Sequence, residues 1–229
     1  MGKDDFIKEV RAASGHRFMQ EVFADMVHAM ALAIEGRIAL DPRKDEIEKE
    51  YAALMGRYGE DERRHFANAF AVVVDTLEAR REEFLGQCLE ELGANNKHNG
   101  QFLTPGSLAH LMAKICLPEH ATHRPGEIIK LNDPACGASV LLIAQAETLI
   151  AAGFPQRDIL VVAGDIDGRA CDMSYVQLSL LGYAAVVQHM DALSQERYSP
   201  DRYTPGYFLH CMPMRNFINN NKPKEKNHE

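Results

Sequence analysis

The sequence predicts an α/β protein: an all-helical amino-terminal domain followed by a parallel sheet whose strands are joined by helices. Three observations predict it. Residues 4–36, 42–58 and 61–92 carry apolar side chains at three- and four-residue steps, the period of a helix with one packing face. Residues 128–131, 159–163 and 184–188 are short apolar runs without that period, as buried strands are. Helical patterns at 140–150 and 168–181 separate these runs, and alternation of strand and helix implies a parallel sheet.

Composition sets the bounds. The chain has 229 residues, 46% of them hydrophobic, enough to bury a sizeable core as one large domain or two small ones. No apolar run reaches the roughly 20 residues that span a bilayer, and Met1 to Val10 is too charged for a secretory signal, so a cytoplasmic protein is expected. The net charge of -8 argues against a chain that grips duplex DNA unaided, because phosphate neutralisation needs a basic surface. If DNA is a partner, a local basic patch or a second subunit must hold it. Cys88, Cys116, Cys136, Cys171 and Cys211 are widely spaced and contain no Cys-x-x-Cys pair, which predicts reduced, mostly buried thiols. His98, His110, His120 and His123 lack the regular spacing of metal ligands, and no metal site is expected.

In the first helical stretch the packing stripe is Phe6, Val10, Phe18, Val22, Phe23, Met26, Met30 and Ile34. Asp41 and Pro42 suit a cap and first turn for the second helix, and Phe66, Phe70, Val73, Leu77, Phe84, Leu85, Cys88 and Leu92 mark the third. Three such helices build a bundle. The charge runs Asp45 to Glu50 and Glu78 to Glu83 read as solvated faces, and Met19, Met26 and Met30 as core filler. Gly93 to Gly100 is a polar break that divides residues 1–96 from 97–214. Thr104 then suits a helix cap, with Pro105 first in a helix through Leu108, Leu111, Met112 and Ile115, and 117–127 reads as a loop.

The central feature is Asp133-Pro134-Ala135-Cys136-Gly137-Ala138-Ser139, a turn from a buried strand into the helix at Val140. Gly137 lets another molecule approach the backbone, and the helix start offers free N–H groups. Gly153 ends that helix. The next strand leads into Gly164-Asp165-Ile166-Asp167, where a carboxylate at a strand tip can accept bonds from both hydroxyls of a ribose. Asp167 reads better as the cap of the following helix, which Gly182 ends. Ala184 to Gln188 is a third strand, followed by His189-Met190-Asp191-Ala192-Leu193.

The Asp133 to Gly137 wording, with Gly100-Gln101-Phe102-Leu103-Thr104-Pro105 about 30 residues before it, resembles the adenine-N6 DNA methyltransferases, and in particular the modification subunits of type I restriction systems. The resemblance implies a partial methyltransferase (Rossmann-like) sheet and S-adenosylmethionine as cofactor. It implies cofactor contacts at Gln101, Phe102, Thr104 and Pro105, at Asp133, Pro134, Ala135, Cys136 and Gly137, at Asp165 and Ile166, and at Asp191 and Ala192. Asp165 would take the ribose and Asp191 the adenine amino group. Ala138 and Ser139 stand where the family has a small polar residue and a second glycine.

The resemblance stops at the catalytic motif. The family carries Asn-Pro-Pro-Phe or Tyr at the end of a fourth strand, where an amide and a backbone carbonyl accept the amino hydrogens of a flipped adenine and a ring stacks on it. Here the fourth strand is expected at Tyr207 to His210, and Cys211-Met212-Pro213-Met214 follows. No catalytic residue is assigned, because cysteine is a weak acceptor and methionine has no aromatic face. Residues 215–229 read as a disordered polar tail, and the fourth strand as an exposed edge that a partner chain or a second copy would cover. Two functions are expected: methyl transfer to adenine N6 of DNA, or a catalytically silent relative acting as an accessory, decoy or regulatory subunit of a restriction-modification or DNA-binding complex.

Overall fold

The computed structural model describes residues 2–39, 42–93, 104–117, 124 and 127–211. Eight helices, α1 (Lys3–Ser14), α2 (Met19–Ile38), α3 (Arg43–Gly56), α4 (Glu60–Ala79), α5 (Leu85–Glu91), α6 (Gly106–Cys116), α7 (Val140–Ala151) and α8 (Gly168–Leu180), accompany strands β1 (Ile129–Asp133), β2 (Ile159–Asp165), β3 (Ala184–His189) and β4 (Arg202–Tyr203). A last helix, α9, covers 205–211. The α/β class holds.

The three expected amino-terminal helices are five. Gly15 takes φ +53° and separates α1 from α2, a conformation open to glycine at little cost. Phe18 consequently stands before α2 and is 80% exposed, off the packing stripe. Arg80 is extended, and the backbone turns before α5 begins at Leu85. Within that turn Glu83 is buried, so the charge run ending there is not wholly a solvated face.

Phe23 and Phe84 meet Phe6 edge to face, each with centroids 5.9 Å apart, and join α1, α2 and the segment before α5. Met26 and Met30 are buried filler in the same core. α1 packs on α4, and α2 packs on α8. The break expected at 96/97 falls outside the described residues, but one apolar core runs from Phe6 through Phe84 to Val187. Cys88, Cys136, Cys171 and Cys211 are buried free thiols, and Cys116 is exposed.

The sheet has the order β1-β2-β3-β4. β1, β2 and β3 are parallel, with Asp133 beside Ala163 and Asp165 beside His189, so their carboxyl ends lie together. α7 packs on β1 and β2, and α8 on β2 and β3. β4 runs antiparallel to β3, pairing Tyr203 with Val186.

The fourth strand is therefore not the one expected. Tyr207 to His210 is helical, and the two-residue β4 precedes it. Thr204 explains the switch: its hydroxyl donates to Tyr183 O (2.6 Å) and accepts from the Ala185 N–H (2.9 Å), ending the strand, and Pro205 opens a helix at its favoured first position. The rings of Tyr207 and Phe208 then pack on Tyr203, with centroids 4.7 and 6.2 Å away. β4 covers the outer side of β3, and the strand with a single neighbour at the other end of the sheet is β1.

Arg202 ties β4 to the helical layer. Its Nε donates to Glu35 of α2 (2.8 Å) and its Nη1 to Asp172 of α8 (2.6 Å), while the guanidinium lies 4.1 Å over the Tyr175 ring.

At the α9 entry a Cβ on Gly206 would overlap the Tyr183 carbonyl oxygen, a backbone atom that cannot swing away. Gly206→Ala is expected to destabilise the protein by about 3 kcal/mol in urea unfolding, at the high end for a single substitution. A loss under about 0.5 kcal/mol would refute this packing.

Candidate functional site

The turn between β1 and α7 is held to the tip of β2 by backbone contacts. Asp133 Oδ1 accepts from the Ala135 N–H (3.0 Å), and the Cys136 N–H donates to Gly164 O (2.8 Å). Gly164 is close enough that a Cβ there would lie 3.4 Å from Pro134 Cα. Gly137 takes φ +54°, which aims its N–H at Asp165 Oδ2 (2.8 Å). Pro134 and Ala135 are exposed at the outer lip, whereas Cys136, Ala138 and Ser139 are buried. The first intrahelical bond of α7 runs from the Ile143 N–H to Ser139 O (2.9 Å), so the helix start faces the turn with its leading N–H groups.

Ser139 takes φ +66°, a left-handed conformation that side chains rarely adopt. It is fully buried, and its hydroxyl donates to Ser174 Oγ (2.7 Å). Ser174 in turn donates to Gly137 O (2.8 Å). One helical turn on, Gln177 donates from Nε2 to Ala138 O (2.9 Å) and accepts at Oε1 from the Phe84 N–H (2.6 Å) and the Leu85 N–H (3.0 Å). A Cβ on Gly86 would come within 2.9 Å of both Ala138 Cβ and Glu83 Oε1. Thus α8 supports the turn from below, and the start of α5 presses on it from the side.

These supports were not anticipated from the sequence. A signal existed: Ser174 and Gln177 are three residues apart, on one face of a helix that is otherwise largely apolar. Glu83 was hidden at the end of a charge run.

The expected acids arrive together at adjacent strand tips. Asp165 Oδ1 also accepts from the Asp167 N–H (2.9 Å), and Asp167 caps α8 through the Arg169 N–H (2.9 Å). Met190 N–H donates to Asp165 O (2.9 Å), which places Asp191 directly beyond the neighbouring tip. Asp191 Oδ1 accepts from the Leu193 N–H (2.8 Å) and the Ser194 N–H (3.4 Å), and the Leu193 bond foremost holds its carboxyl below the ordinary range. Ala192 is half-buried beside it. Ile166 is 60% exposed, an apolar side chain at the tip of a buried strand.

Thr104 and Pro105 do not act as expected. α6 begins at Gly106, Pro105 occupies the cap position, and no side chain caps the helix. Leu108, Leu111, Met112 and Ile115 are exposed, and α6 meets α7 through Ala109 and Ala113 against Val140, Leu141 and Ala144. Small side chains let the helix axes come close, so α6 lies across the start of the turn's own helix. Gln101 and Phe102 lie outside the described residues, as do Met212, Pro213 and Met214. Cys211 is buried in α9.

The chemistry of this group of residues fits an adenosine-bearing ligand. A half-buried carboxylate with lone pairs to spare, a neighbouring ionised acceptor and an exposed aliphatic side chain match ribose hydroxyls, an amino group and a purine face. Thiol chemistry is disfavoured, because burial pushes the Cys136 thiol up to about 12. Among the described residues no three His, Cys, Asp or Glu side chains gather as a metal site would require, and no helix is long and apolar enough to cross a membrane.

Gln177→Leu removes the acceptor of two buried N–H groups and the donor to Ala138, and is expected to cost about 3 kcal/mol in urea unfolding; a neutral result would break the account of the turn's support. Glu83 supplies a pH dependence. Burial raises its carboxyl from 4.5 to about 7. Its contribution to stability is therefore undiminished below about pH 4.5 and falls by about 3 kcal/mol as pH rises to 7, where the folded state must ionise a buried acid. Glu83→Gln should show a flatter profile across that window, and parallel profiles would contradict it.

The profile of the family described as N-6 DNA Methylase matches residues 80–205, more than half of the chain. No curated protein and no solved structure gives a significant match. The matched region opens just before Glu83 and closes after Thr204, so it takes in the support beneath the turn as well as the three strand tips. The chain belongs to the N-6 DNA methylase family.

Proposed function

We propose that this chain binds S-adenosylmethionine at the carboxyl ends of β1, β2 and β3 and serves methyl transfer to the N6 of adenine in DNA. The observation that carries the reading is the Asp165 carboxylate bonded to the Gly137 N–H, which locks an open turn against an acid that still has acceptor capacity. The cofactor supplies an electrophilic methyl group on a sulfonium sulfur. The protein's part is placement: the Asp133 to Gly137 backbone receives the methionine portion, Asp165 accepts from the ribose hydroxyls, Ile166 lies against the purine, and Asp191 accepts from its amino group. Transfer by in-line attack depends on such positioning. The charge of -8 favours DNA being held together with another subunit.

One observation favours a second reading, a catalytically silent relative acting as an accessory, decoy or regulatory subunit of a restriction-modification or other DNA-binding complex. Adenine's amino nitrogen is a poor nucleophile until acceptors take its hydrogens. Cys211, first of the four residues at the motif position, is a weak acceptor and is buried in α9. Loss of one preorganised polar contact costs on the order of a hundredfold in rate.

Calorimetry with S-adenosylmethionine is expected to give binding to the wild type and roughly tenfold weaker binding, or more, to Asp165→Ala. No heat with the wild type would end both readings. Radiolabelled methyl transfer to mixed-sequence DNA, with and without cellular partner proteins, then separates them: transfer supports the enzyme, and cofactor binding without transfer supports the silent relative.

A further inference from the structure

Glu83 is a buried acid, 6% exposed, that none of the roles above employs. It faces the underside of the turn through two neighbours. Its Oε1 accepts from the Gly86 N–H and lies 3.4 Å from Gln177 Nε2, the same nitrogen that donates to Ala138 O at 2.9 Å. Gly86 is packed so tightly between Glu83 and Ala138 that even a methyl group would not fit. A change at the Glu83 carboxyl is therefore felt by the turn along two routes, one through an amide and one through steric contact.

We propose that Glu83 is a positioning residue for the cofactor turn, and that the turn keeps its ligand-ready shape only while this carboxyl is neutral. The inference rests on the cofactor reading above for its effect on binding, but not for its effect on the turn.

The surroundings explain why neutrality matters. The charged and titratable groups about Glu83 are Glu82 on its own segment and Cys88 and Glu91 on α5, with Lys3 of α1 drawn to Glu91 at 3.4 Å. α8 and the turn contribute Gln177, Ser174, Ser139 and the high-pKa thiol of Cys136. Lys3, the cation of this group, is thus engaged elsewhere. An ionised Glu83 strengthens its long 3.4 Å bond from the second Gln177 Nε2–H, pulls the carboxamide toward itself and strains the bond to Ala138 O, and it invites water into the space beside Gly86. Both responses displace Ala138. Burial sets the transition near neutrality, with Glu82 pushing in the same direction.

The test pairs a ligand readout with a ligand-free one. S-adenosylmethionine affinity of the wild type should fall about tenfold per pH unit above the Glu83 transition, whereas Glu83→Gln should stay tight across the same range. The cofactor's own amino group titrates against both proteins, so their difference isolates Glu83. Without cofactor, amide hydrogen exchange at residues 136–140, corrected for intrinsic rates, should quicken between pH 6 and 8.5 in the wild type and stay level in Glu83→Gln. Glu82→Gln, a change on the exposed side of the segment, should move the wild-type transition to lower pH, which keeps the proposal testable if Glu83→Gln folds poorly. Matching exchange profiles in wild type and Glu83→Gln, or a transition unmoved by Glu82→Gln, overturn the proposal. An exchange difference without calorimetric binding at any pH upholds Glu83 as the turn's positioning residue and removes the cofactor reading instead.

Discussion

The carboxamide of Gln177 is the tie on which the site depends. Its oxygen takes the N–H groups of Phe84 and Leu85, and its nitrogen holds the Ala138 carbonyl, so a single side chain joins the helical layer, the β1–α7 turn and α8. A buried amide is well suited to this, since it satisfies donors and acceptors at once and carries no charge that burial would penalise. A buried polar group must be satisfied in full, so the three segments are fixed relative to one another rather than merely pressed together.

Around that tie, the fold gathers the candidate site residues at one end of the sheet. Parallel strands joined through helices gather their carboxyl ends, and there the Asp133 turn, Asp165 and Asp191 lie at successive strand tips. The helical layer is more than an appendage to this arrangement. Arg202 reaches from β4 to Glu35 and Asp172, and α5 abuts the turn, so elements distant in sequence share the work of holding a backbone conformation.

Much of the fold was legible because its signals are local. Periodicity placed α7, α8 and three of the strands within a residue or two, and Gly153 and Gly182, both at positive φ, ended helices as read. Asp167 was correctly assigned as a cap for the same reason. What was missed is non-local or balanced. Residues 204–210 contain both an apolar run typical of a strand, Tyr207 to His210, and a Thr-Pro-Gly helix opening, and contact with Tyr183 and Tyr203 decided between them. The packing face of α6 carries no sequence signal either, because Ala109 and Ala113, not its large side chains, meet α7. The support of the site was invisible because a buried glutamate at the end of a charge run and a glutamine on a helix look ordinary until the chain folds them beneath a turn.

Ser139 carries a wider lesson about motif letters. Its left-handed backbone costs on the order of 1 kcal/mol that glycine would avoid, and the Ser174 hydroxyl compensates by anchoring the side chain. Reaching across from the crossover helix, Ser174 thus acts as a mooring that lets a side chain occupy a bend glycine would reach unaided.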